Sequence, residues 1–93
     1  MKPEQSIHNK SHLTAYRTAL SRYVRSTMVL KGIKYDDLSK DLAECGVYLT
    51  PENLRSKVSK GMFSADLLLL LFRVLKVEDT ACKEILLLVD QES

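Results

Sequence analysis

An all-α fold of five helices is what this chain predicts, on three observations. Apolar residues recur at three- and four-residue steps over long runs, only three Gly and two Pro interrupt 93 residues, and no Asn-Gly or Asp-Gly pair offers a hairpin turn. With 45% hydrophobic residues the chain has material for one core, and a single domain is expected. The leucine-rich run 67–75 is broken by Arg73 and falls short of the ~18 apolar residues of a membrane span. The polar start MKPEQSIHNKSH lacks the apolar stretch of a secretory signal, so a cytoplasmic location is expected. Cys45 and Cys82 lie outside any C-x-x-C pattern and are expected as buried thiols.

Residues 1–11 carry no periodicity and are expected as a mobile polar arm, followed by one helical domain over 12–93. From His12 to Lys31, Leu13, Tyr16, Leu20, Tyr23, Val24, Thr27 and Leu30 form one stripe, with Gly32 as the stop. Arg17, Arg22 and Arg25 fall on the other side and are candidates for contacts to a phosphate backbone. A second helix over 35–44 has Leu38 and Leu42 as its core pair, Asp36 and Asp37 in its first turn, and Gly46 beyond its end. Lys34 stands where a capping Ser, Thr or Asp belongs, so either Asp36 caps a later start or the lysine serves another purpose. Val47-Tyr48-Leu49 reads as an apolar connector packed beneath the next helix.

That next helix, 50–60, is the most informative stretch. Thr50 is a cap, Pro51 suits the first turn, and Gly61 supplies a left-handed stop. Only Leu54 and Val58 are aliphatic between them, so one narrow stripe is buried and the polar residues point outward. Met62 and Phe63 are expected as core plugs. Ser64 should cap a fourth helix over 65–76, apolar nearly all round and therefore central. Asp79 or Thr80 caps a last helix over about 80–90. Its run Ile85, Leu86, Leu87, Leu88 and Val89 covers more than one side, which predicts a homodimer interface.

Charge is banded along the chain: +6 over residues 1–35, −4 over 36–52, +4 over 53–76 and −4 over 77–93. Two basic blocks separated by an acidic one suit a protein presenting one cationic face to a polyanion; solvated helix faces give the same pattern with no such role.

The order helix, turn, helix over about 35–61 resembles the Cro/CI-type (XRE-like) helix-turn-helix class, through Tyr35-x-x-Leu38-x-x-x-Leu42 and a second helix ending in Lys60-Gly61. More closely, Tyr35-Asp36-Asp37-Leu38, Gly46-Val47 and the run from Asn53 to Ala65 resemble a small uncharacterised bacterial family with an N-x-x-x-K-[IV]-S-[RK]-G-x-F-[ST]-A signature. The resemblance spans residues 31–77 and implies a repressor-like DNA-binding fold with no established biochemical activity. One departure stands out: the connection from Leu42 to Leu54 is several residues longer than the tight turn of a standard helix-turn-helix.

On this reading the chain is a sequence-specific DNA-binding transcriptional regulator of bacterial or phage type, a repressor, whose partner is double-stranded DNA bound as a homodimer. Helix 50–60 enters the major groove. Asn53 could bond adenine, Arg55 or Lys57 guanine or phosphate, and Ser56, Ser59 and Lys60 phosphate or base. Thr50 and Glu52 begin the same face, Glu52 suited to a cytosine amino group or to a place outside the groove, and Lys34 and Tyr35 approach a phosphate. The competing expectation for each residue is a solvated polar side chain. For the whole, it is a protein-interaction module, antitoxin-like or an accessory factor, docking through its last helix. His8 and His12 make at most two metal ligands and no phosphate loop or nucleophile motif appears, so no metal, cofactor or enzymatic activity is expected.

Overall fold

The computed structural model describes residues 3–92, and these form five helices with no strand among them: α1 Pro3–Lys31, α2 Tyr35–Glu44, α3 Pro51–Lys60, α4 Ala65–Val74 and α5 Ala81–Glu92. Helix α1 packs on α5 and α3, and α2 packs on α3 and α4. Val24, Leu38, Leu42, Leu54, Val58, Leu71 and Leu75 are the largest fully buried side chains, so every helix from α1 to α4 places at least one residue at the centre. Ile85 and Val89 of α5 join the same cluster.

Each of the first four helices ends in the same way. A residue with positive φ follows the last turn (Gly32, Gly46, Gly61 or Lys76), and the next amide donates to a carbonyl five residues back. The bonds run from Ile33 to Met28, Val47 to Leu42, Met62 to Lys57 and Val77 to Phe72, at 2.8, 3.0, 3.1 and 2.9 Å. This arrangement satisfies carbonyls that the helix itself leaves open.

The helix starts are more varied. Thr50 caps α3 as its sequence predicts, its Oγ1 accepting from the Asn53 N–H at 3.1 Å. Lys34 has no acceptor in its side chain to cap α2. There the Asp37 carboxylate reaches back to accept the Lys34 N–H at 2.9 Å, so Asp37 rather than Asp36 secures the start. At α4, Ser64 holds the cap position without making a side-chain cap bond. Asp66 Oδ1 takes the Leu67 N–H at 2.9 Å instead, while the Ser64 hydroxyl hydrogen-bonds the Asp66 carboxylate.

Several expectations are corrected. Helix α1 begins at Pro3 rather than near His12, so residues 3–11, expected as an arm, are helical; nothing after Pro3 breaks the turn, and proline suits a first position. Residues 1–2 lie outside the described residues, and so does the side chain of His8. Leu30 lies on the same angular stripe as Tyr23 and Thr27, yet it is 87% exposed, at the open rim of the groove between α1 and α5. Cys45 and Cys82 are exposed, one at the end of α2 and one in the first turn of α5. Helix α4 is less enclosed than expected: Leu71 and Phe72 are buried, but Leu69 points outward. Met62 and Tyr48 are exposed too, while Phe63, Val47 and Leu49 pack against the core.

Candidate nucleic-acid interface

Helix α3 lies across the molecule with Leu54 and Val58 buried beneath it. Its inner side is tied to its neighbours at three points. The Ser21 hydroxyl of α1 donates to the Ser59 carbonyl at 3.4 Å. Gly61 sits against the Arg17 backbone so closely that an added Cβ would overlap the Arg17 carbonyl oxygen. The connector ahead of α3 is held by the Ser39 hydroxyl of α2, which donates to the Leu49 carbonyl at 2.6 Å. These ties leave the opposite side open: Glu52, Asn53, Arg55, Ser56, Ser59 and Lys60 are exposed and Lys57 is half-buried.

Helical geometry divides those residues into two flanks. Asn53 and Arg55 point ~160° apart around the axis, with Ser56 on the ridge between them. On one flank Asn53, Ser56, Lys57 and Lys60 border a depression closed by Leu49 and Met62. Lys57 also borders a second depression, with Arg17, Gly61 and Phe63, which brings an α1 arginine alongside the C-terminal half of α3. On the other flank Arg55 stacks over the Tyr35 ring, its guanidinium carbon 5.2 Å from the ring centre. Arg55, Tyr35, Lys34 and Arg25 line a third depression, floored by Met28, Val29 and Ile33 and including Asp36. Arg22 lies beyond it, next to Arg25, Val29 and Leu30.

Of the thirteen expected contact residues, twelve lie on or beside α3 and Arg22 lies further off. Thr50 spends its hydroxyl on the helix cap. Glu52 is an exposed acid in the first turn, well placed against the positive end of the helix dipole. Arg55 turns away from Asn53 and Lys57 to join Tyr35. Met62, expected as a core plug, is exposed and borders two of these depressions. Tyr48, expected to pack beneath α3, is 80% exposed in the connector.

The α5 candidates separate in a similar way. Ile85 and Val89 are buried in the monomer's own core, and Leu88 is half-buried, so these do not form a free surface. Leu86 and Leu87 remain about half exposed. Leu87 and Leu88 share a groove with Leu30, Tyr23 and Glu84, where α5 meets the end of α1.

A family model described as a domain of unknown function, DUF6471, matches residues 16–80, well over half of the chain. The chain belongs to the DUF6471 family. Both flanks of α3, from Arg17 through Met62, lie inside the matched span, whereas α5 lies beyond it. No curated protein and no solved structure matches the chain. Among the described residues no helix is long and apolar enough to cross a membrane, and no group of His, Cys, Asp or Glu could hold a metal ion.

Proposed function

We propose that this DUF6471 protein is a sequence-specific DNA-binding regulator, acting as a repressor, that lays α3 in the major groove. What supports the reading is the pairing of cations about α3. Its outward ridge at Ser56 runs between Asn53, Lys57, Lys60 and Arg17 on one side and Arg55, Lys34 and Arg25 on the other. A helix in the major groove has a phosphate wall on each side and base edges beneath it, and this surface offers cations to both walls. Asn53 has the two-pronged amide that suits adenine, and the connector 45–50 makes the turn longer than the three or four residues usual between such helices.

A second copy is the partner we assign to the α1–α5 edge. Leu30 is 87% exposed and lies next to Arg22, while Leu86 and Leu87 of α5 lie near Glu84 and Asp90. A two-fold axis sets each α1 edge against the other copy's α5, apolar to apolar and basic rim to acidic rim.

The test is a fluorescence titration of the full chain against the duplex upstream of its own gene and an unrelated duplex, at two salt concentrations. Selective binding is expected, with affinity falling by a log–log slope of about 0.9 per phosphate contacted. Asn53→Ala with Lys57→Ala should lower selective affinity by about 100-fold, on the order of 3 kcal/mol. Leu87→Asp should yield a monomer in sedimentation equilibrium. Absence of binding to either duplex at low salt overturns the regulator reading in favour of a protein-interaction module, whose apolar interface responds little to salt.

A further inference from the structure

The depression between the end of α1, the start of α2 and α3 is more specific than a general basic surface. It draws Arg25, Lys34 and Arg55 from two helices and a helix cap, and Asp36 is its only acid, which leaves it with a net charge of +2. No ion pair within the described residues neutralises these cations, and Arg55 is held by the aromatic face of Tyr35 rather than by a carboxylate. Stacking of this kind fixes the plane of the guanidinium while leaving its N–H edge free to donate. The floor of Met28, Val29 and Ile33 is apolar.

We propose that this depression is a seat for one phosphate of the DNA backbone, with the adjoining deoxyribose on the apolar floor, and that Tyr35 is a positioning residue acting through Arg55. The inference rests on the DNA-binding reading for the source of the phosphate, but the seat itself recognises the phosphate group. Its consequence is that Arg55 orients α3 and reads no base, whereas Asn53 and Lys57 on the far flank carry the discrimination.

The experiment follows the Arg25 and Arg55 Nε–H signals and the backbone amides of residues 34–36 by NMR, in the full chain. The probes are inorganic pyrophosphate and, separately, a dithymidine phosphodiester. Saturable shifts are expected there and not at Lys57 or Lys60. Arg55→Gln should weaken pyrophosphate binding by about tenfold. Tyr35→Phe should keep the affinity within about twofold, and Tyr35→Leu should lower it by about fivefold at unchanged fold, since only the ring face is needed. On DNA, Arg25→Gln with Arg55→Gln should reduce the salt slope by about 0.9, the share of the one phosphate seated there, and leave sequence preference intact. Pyrophosphate shifts spread evenly over all exposed cations overturn the seat. So does DNA binding whose salt slope is unchanged in the double variant. Localised pyrophosphate shifts in a protein that binds no duplex keep the seat, assign it to a free phosphate compound, and overturn only the DNA reading.

Discussion

Gly61 lies directly against the main chain of Arg17: a β-carbon built on it would sit within 2.7 Å of the Arg17 carbonyl carbon and 3.0 Å of its Cα. The close approach is what lets α3 end on α1, and it occurs at a residue whose φ of 64° already disfavours a side chain. Gly61→Ala therefore meets two penalties, left-handed backbone at about 1 kcal/mol and displacement of α3 from α1 for the remainder. A loss of about 2–4 kcal/mol in urea unfolding is expected. An alanine variant within 1 kcal/mol of the parent would show that the α1–α3 contact gives way easily.

Lys76 occupies the corresponding place after α4 with a φ of 61°, the only non-glycine among the described residues with positive φ. It is exposed, and both backbone bonds of the motif are present, from Lys76 N–H to Arg73 and from Val77 N–H to Phe72. Glycine relieves the strain there while adding freedom to the unfolded chain. Lys76→Gly should stabilise the fold by about 0.5–1 kcal/mol, seen as a higher denaturant midpoint at unchanged m. A lower midpoint would mean that the lysine side chain contributes more than its backbone costs.

Tyr23 is 5% exposed between α1 and α5, and burial raises its phenol above the ordinary value, helped by the nearby Glu84 charge and opposed by hydrogen bonds with Thr27 and Thr80. The folded chain thus holds this proton more tightly than the unfolded chain does. Its contribution to stability is complete below about pH 10 and is lost as pH rises through the folded value. Unfolding midpoints should drop above pH ~10, and the drop should be shallower in Tyr23→Phe. Parallel pH curves for the two proteins would remove Tyr23 as the cause.

How far the sequence spoke for the fold can be traced residue by residue. Thr50, Pro51 and Gly61 bracket α3 because capping and turn chemistry are local, and the same holds for Gly32 and Gly46. Lys76 gave no such signal, since its left-handed backbone is imposed by the bonds of Val77 and by packing rather than by its own preference. Five apolar residues in a row over 85–89 could not reveal which side of α5 meets α1; the structure buries Ile85 and Val89 and leaves Leu86 and Leu87 outside. The outward residues of α3 followed from helical period alone. The stacking of Arg55 on Tyr35 did not, because it depends on how α2 crosses α3.

Arg17 and Arg25, which stand on opposite flanks of α3, belong to one unbroken helix. Eight residues of helical rise set them about 12 Å apart along the axis, close to the width of a B-form major groove. Helix α1 therefore works as a ruler: the gauge between the two flanks is fixed by backbone hydrogen bonds, and changes in the loops around α3 leave that gauge as it is.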